Sequence, residues 1–179
     1  MHAERADAAP VSELVVRRIE PADWAANRTL RLEALADYPL GFLETLEAAR
    51  AEPDATWHAR AARGAVGGDS FQVLAWHEGR PVATCVSFVR DGSAWLAGVF
   101  VLPPHRGAGM LGRLVAECQP WVQEQAVDDW LLEVHENNVR ARRAYERLGW
   151  TATGQTQPYP MPHGGVEFMM RRSVARPGS

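Results

Sequence analysis

The chain has 179 residues, 46% of them hydrophobic and 23% charged, which bounds it to one ordinary globular domain and excludes fibrous and disordered classes. All 19 basic residues are arginines, so a Schiff-base lysine and a phosphate-loop lysine are ruled out. Against 22 acidic residues the net charge is -3, which leaves no global reason to expect nucleic acid as a partner.

In chain order, residues 1–12 carry Ala, Pro and charge without periodicity and are expected to form a loose tail, as are residues 173–179. Residues 13–172 between them read as a single domain. Leu14 to Ile19 is a strand candidate. A helix is predicted in "EPADWAANRTLRLEALADYP", where Trp24, Leu30, Leu32 and Leu35 stand among polar residues between Pro21 and Pro39. The stretch "GFLETLEAARAEPDATWHARAARG" predicts one or two short helices broken at Pro53, with Asp54 capping the second. From Phe71 to Pro103, three apolar runs are separated by Glu-Gly-Arg-Pro and Asp-Gly-Ser, the turn signals of an antiparallel meander. Then come a helix from Leu111 to Val127, a strand from Trp130 to Val134, a helix from Val139 to Leu148, and strands at 150–155 and 166–171. The order β-α-α-β-β-β-α-β-α-β-β predicts a mixed sheet with helices on its faces.

Cys85 and Cys118 stand in apolar settings, which favours buried free thiols over a disulfide framework. No apolar run approaches the roughly 18 residues of a spanning helix, and the start "MHAERADAAPVSE" lacks the apolar core of a secretory signal. A cytoplasmic protein without a membrane partner is therefore expected.

The chemistry concentrates in "VFVLPPHRGAGMLGRLV", residues 99–115. Gly107-Ala108-Gly109-Met110-Leu111-Gly112 is a literal G-x-G-x-x-G opening a predicted helix, and Gly107 and Gly112 also have phosphate-loop spacing. The phosphate-loop reading fails because Arg113 and Leu114 follow Gly112 where Lys and then Ser or Thr are required. A dinucleotide site is opposed by Pro103 to Arg106, which separate the strand from the first glycine. The preceding antiparallel strands oppose it too, and only about 45 residues follow Glu133 for further parallel repeats. A third solution needs neither magnesium nor lysine. Closely spaced glycines at a helix N-terminus turn successive N–H groups toward one point, the helix dipole adds positive potential, and Arg106 adds a charge-assisted bond to a pyrophosphate.

This loop resembles the acetyl-CoA loop of the GNAT N-acetyltransferases, whose pattern is Arg or Gln, two residues, Gly, any residue, then Gly or Ala. Arg106 and Gly109 match it; Leu111 holds the place of the last Gly or Ala, and Gly112 comes one residue late. A separate block, "LLEVHENNVRARRAYERLGW", residues 131–150, is similar to the same family through Asn138, Ala141, Tyr145, Gly149 and Trp150. By spacing alone, Asn138 is equally an N-cap, and Tyr145, aligned with Ala141 and Leu148, reads as a core aromatic, a reading that the resemblance reverses. The resemblance covers roughly residues 14 to 172.

The resemblance implies an α/β fold of the α+β type, with a mixed, mostly antiparallel central sheet and helices on both faces. It implies an N-acetyltransferase that moves an acetyl group from acetyl-CoA to a primary amine in a ternary complex, without a metal. The pyrophosphate would lie on Arg106, Gly107, Ala108, Gly109, Met110, Leu111 and Gly112. Asn138 would meet the pantetheine arm, as would N–H groups near Phe100 and Val101, freed where Val99–Val101 splays from Trp130–Val134. Tyr145, a phenol protonated at neutral pH, would act on the coenzyme A sulfur as general acid.

Glu133 is similar in placement to the base of bacterial ribosomal-protein alanine N-acetyltransferases, and "PYPMPHGGVEFMM" is similar to part of their tail, with Tyr159 a candidate for the acceptor mouth. A base matters most for strongly basic acceptors: at pH 7 an α-amine is about a tenth neutral, a lysine-like amine only about one part in 10³. Leu32 to Glu47 is expected to wall the acceptor site. Arg140, Arg143 and Arg147 read as a solvated helix face or as the source of one ligand for the 3'-phosphate. His77, His105, His135 and His163 lack metal-ligand spacing. Small amines and peptide N-termini lead among acceptors, with lysine side chains still open, and a homodimer is compatible with all of this. The rival reading is a non-catalytic acyl-CoA-binding sensor or regulatory module.

Overall fold

The computed structural model describes residues 14–175; the tail expected at 1–12 and the last four residues of the tail expected at 173–179 lie outside the described residues. In chain order the elements are β1 (Val15–Arg18), α1 (Trp24–Asp37), α2 (Leu46–Ala51), α3 (Asp54–Val66), β2 (Ser70–His77), β3 (Arg80–Arg90) and β4 (Ser93–Val101). They continue as α4 (Met110–Glu124), β5 (Asp129–His135), α5 (Val139–Arg147), β6 (Thr151–Pro158) and β7 (Val166–Ser173). Single 3-10 turns stand at Pro21–Asp23, Pro39–Gly41 and Pro103–His105.

The predicted order of elements is found with one helix more than expected between the first two strands, α2 and α3 standing on either side of Pro53, and with shifted ends. Pro53 occupies the N-cap position of α3 and Asp54 is its first helical residue, so Asp54 is not the cap. Helix α4 starts at Met110 and ends at Glu124; it passes through Pro120 because Trp121 and Val122 beyond it are buried. Strand β7 reaches Ser173, and Val174 N–H donates to the Asp128 carbonyl at 2.8 Å, so regular structure enters the segment expected as a tail.

The sheet runs β1-β2-β3-β4-β5-β7-β6 and is antiparallel except between β4 and β5. Both turns of the meander are two-residue loops with positive φ throughout, Glu78-Gly79 at 52° and 73° and Asp91-Gly92 at 51° and 74°. That is the hairpin geometry whose twist matches the flanking strands. Helices cover both faces. On one, α1 and α3 bury Leu30, Leu35 and Trp57 against Ile19, Leu74 and Phe100; on the other, α4 buries Leu114, Cys118 and Val122 with Val73, Cys85 and Leu96. Neighbours Val73 and Leu74 thus point to opposite cores, and both are fully buried. The two thiols are free and meet Sγ to Sγ at 3.5 Å across the β3–α4 interface.

The parallel seam is short. Strands β4 and β5 pair only at Ala94 with Trp130 and Trp95 with Leu131. Beyond that point the β3–β4 register shifts between Thr84 and Val86, and Gly98 takes φ 58°, a bulge that bends β4 away from β5.

Candidate active site

The bulge opens a cleft of about 710 Å³ between the diverging strands, reached by the α1–α2 connection, the loop before α4, and α5. Leu102 N–H donates to the Val82 carbonyl, so strand alternation turns the main-chain groups of Val101 toward the split and those of Phe100 toward β3. Val101 therefore offers its N–H to the cleft, while Phe100 contributes a buried ring.

At one end of the cleft the loop before α4 forms a main-chain cradle. Gly107 and Gly109 have φ of 83° and 73°, and a Cβ added at either would meet no atom within 4 Å. Glycine is needed there for its backbone conformation, and the space in front of the loop is open. Gly109 stands at the N-cap position, so the first N–H groups of α4 have no intrahelical acceptor and face outward with the positive end of the helix dipole. A pyrophosphate fits such a cradle. Met110 is buried, and Leu111 packs partly into the core without displacing the helix start. Gly112 could hold a Cβ 3.5 Å from Leu148, an ordinary contact. Of the predicted loop residues, Ala108 alone does not line the cleft.

Arg106 lies at the cradle, but its guanidinium is engaged within the protein: Nε donates to the Val101 carbonyl at 2.8 Å and Nη2 to the Asp37 carboxylate. Asn138 caps α5, its Oδ1 accepting from Ala141 N–H at 3.2 Å, and it also lines the cleft. Its NH₂ end is the one left for a ligand. Tyr145, two α5 turns further, lines the cleft with its ring packed edge-on to Trp150 at 6.1 Å. Burial, then the neighbouring Cys85, push its phenol far above the ordinary range, so it keeps its proton.

Across the cleft, Glu133 projects from β5. Burial, then the Glu167 carboxylate, raise its carboxyl; Arg90 and a hydrogen bond from Gln157 pull the other way. Glu167, only 7% exposed, accepts from Gln157 Nε2 at 3.2 Å. Glutamates 133 and 167 are diagonal neighbours on one sheet face, since Glu133 pairs with Met169 and His135 with Glu167. His135 accepts from Asn137 N–H at Nδ1, so its Nε2 carries the proton and donates to the Gly164 carbonyl at 3.0 Å.

The expected wall is present: Tyr38, Phe42 and Leu43 line the cleft, together with Arg31 of α1. Arg31 lies over Phe42 at 4.3 Å and donates to Glu44, which Arg60 also grips at 2.9 Å. Tyr159 does not line the cleft, contrary to its expected place at the mouth. Its hydroxyl donates to the Phe42 carbonyl at 2.8 Å, so it braces the wall from behind. Arg140 and Arg147 face the cleft and Arg143 does not.

Tyr38 falls inside the segment expected as the wall, whereas residue spacing gave no sign of Glu167 or Gln157. The only cue was the alternation of "VEFMM", which puts Glu167 on the face opposite its neighbours. Among the described residues no group of His, Cys, Asp or Glu is arranged to hold a metal ion, and no helix is long and apolar enough to cross a membrane.

Residues 29–150 match the family model described as acetyltransferase (GNAT) family. No curated protein sequence matches the chain. Among solved structures it is similar to the PaiA N-acetyltransferase of Thermoplasma acidophilum in complex with coenzyme A, with 14% identity and a TM-score of 0.74 over 90% of this chain and 99% of that one. It is also similar to yncA of Salmonella typhimurium with acetyl-CoA, at 15% identity and a TM-score of 0.75 over 94% and 98% of the two chains. A ribosomal-protein alanine N-acetyltransferase from Escherichia coli gives 18% identity and a TM-score of 0.66 over 93% and 97%.

Proposed function

The chain belongs to the GNAT acetyltransferase family, and on that premise we propose that it transfers an acetyl group from acetyl-CoA to a primary amine, by direct attack with both substrates in one cleft. The observation that carries this reading is the juxtaposition, in a single split of the sheet, of a glycine cradle, the Val101 main chain, Tyr145 and Glu133. The Thermoplasma and Salmonella structures, which hold coenzyme A and acetyl-CoA, support acetyl-CoA as the donor.

In this reading the loop from Gly107 to Gly112 receives the pyrophosphate, with Arg106 beside it and Arg140 or Arg147 available to the 3'-phosphate. Asn138 and Val101 hold the pantetheine arm, and the Val101 N–H polarises the thioester carbonyl. The acceptor enters as an ammonium ion drawn by Glu133 and Glu167. Glu133 takes a proton from it, directly or through water, and its raised pKa brings it closer to the amine it must deprotonate. The neutral nitrogen forms the amide bond as the carbon–sulfur bond breaks, Tyr145 gives its proton to the leaving thiolate, and the second nitrogen proton, shed as the amide forms, returns through water to the phenol. Two acidic side chains in the acceptor half favour a cationic small amine or a peptide terminus.

The test is a panel of amines and peptides with acetyl-CoA, following thiol release and the acetylated product by mass. Acceptor-dependent release is expected. Coenzyme A binding without release above hydrolysis for any acceptor would instead favour a non-catalytic acyl-CoA sensor.

A further inference from the structure

Asp37 is the last residue of α1, and no basic side chain stands in that helix's final turn. A carboxylate at the negative end of a helix dipole is disfavoured, so its placement calls for a compensating cation. Arg106 supplies it from a loop 69 positions away, with the two side chains 29% and 24% exposed. The same guanidinium lies 5.7 Å from the Phe100 ring centroid and spans to the Val101 carbonyl through Nε. That carbonyl sits on the split edge of β4, where β5 has already turned away and supplies no donor. Arg106 therefore replaces a missing strand partner, on the same residue whose N–H faces the cleft.

We propose that Asp37 is a positioning residue for the acyl donor: it fixes Arg106 on the Val101 carbonyl and so sets the main-chain N–H that meets the pantetheine arm. A guanidinium has five N–H donors, and two are committed here, so the others stay available to the pyrophosphate. Because α1 also carries Arg31 into the acceptor wall, one ion pair ties the acceptor side of the cleft to the donor side. The inference rests on the acetyl-CoA reading above. Charge alone predicts the opposite effect, since a carboxylate close to a pyrophosphate repels it, and the sign of the change decides between the two.

The experiment is calorimetric titration of the full chain with coenzyme A, paired with steady-state kinetics using acetyl-CoA and S-acetylpantetheine, which lacks the pyrophosphate. Asp37→Asn is expected to raise the coenzyme A Kd about fivefold, as befits one partly exposed charged hydrogen bond. It should raise the KM of both donors and also lower kcat, because the Val101 N–H that it positions polarises the thioester carbonyl. Arg106→Lys keeps the charge but loses the fork, and should match that loss; the double variant should add little, because the pair acts as a unit. Unchanged or tighter coenzyme A binding in Asp37→Asn, or an effect that disappears with S-acetylpantetheine, would overturn the proposal. Melting temperatures check that each variant is folded. If the wild-type chain binds no coenzyme A, the donor assignment itself fails, an outcome separate from a wild type that binds and an Asp37→Asn that binds equally well.

Discussion

Replacing Tyr145 by Phe removes one oxygen and leaves a ring that is 7% exposed and packed on Trp150. Stability should change by less than about 0.5 kcal/mol, since no apolar contact is lost. Removing a general acid typically costs 10²- to 10⁴-fold in rate. The lower end applies here, because a thiol leaving group with a pKa near 8.5 departs almost unaided and the open cleft lets water deliver a proton. We therefore expect kcat at pH 7 to fall about 100-fold, close to 2.7 kcal/mol of barrier, with coenzyme A binding unchanged. The deficit should shrink between about pH 7 and 9.5, as the thiolate ceases to need a proton above its own pKa. Wild-type activity should lose nothing to phenol ionisation over that span, because burial holds the phenol protonated. Thiol release across this pH series, beside a binding titration, measures every quantity. Wild-type turnover in the variant at pH 7 would refute the acid role, and a deficit that does not vary with pH would refute the leaving-group argument.

Glu133→Gln should lower kcat/KM most for the most basic acceptors and at the same time raise the melting temperature at neutral pH. The folded protein raises the Glu133 pKa, so the ionised side chain costs stability as pH climbs through and above the ordinary carboxylate range; the gain should vanish near about pH 4, as thermal scans at both pH values will reveal. Gly109→Ala forces a side chain into φ 73° with open space around it, and should cost about 1 kcal/mol, or roughly 2–4 °C. Gly165→Ala should cost clearly more, since at φ 97° its Cβ would stand 2.6 Å from the Glu136 carboxylate and 2.8 Å from His135; equal losses in calorimetry would contradict this. Tyr159→Phe loses the bond to the Phe42 carbonyl, worth about 1 kcal/mol. It should raise the acceptor KM while leaving the donor KM alone, and a change confined to the donor would count against its bracing role.

Much of this architecture is readable from local signals. The Glu78-Gly79 and Asp91-Gly92 turns have the chemistry their positive φ demands, so the meander follows from the sequence. Asn138 and Tyr145 each carry two compatible readings, and the folded chain keeps both: the asparagine caps a helix and lines the cleft, and the tyrosine is a buried aromatic that also faces it. Arg106 illustrates what escapes. Its place in the glycine loop is plain, but its partner Asp37 lies in another element, and no periodicity links them. Tyr159 fails for the same reason, because whether a ring lines a cavity or supports its wall depends on a loop more than a hundred residues away. Gly98 had a signal, a glycine inside an apolar strand run, yet its effect on the seam appears only once β5 is beside it.

In mechanical terms the sheet is two leaves, β1–β4 and β5–β7, held by a hinge pin no longer than the Ala94–Trp130 and Trp95–Leu131 pairs. The Trp150 indole, bonded to the Trp130 carbonyl at 3.0 Å, stiffens the pin from the side of the second leaf. Beyond Trp95 the ladder bonds are omitted, and although Arg106 takes the Val101 carbonyl, the Val101 N–H still points into the mouth, so the gap that weakens the seam also makes it adhesive. A molecule lying along that mouth touches both leaves at once and acts as a cross-brace, giving the sheet the continuity its own strands leave out.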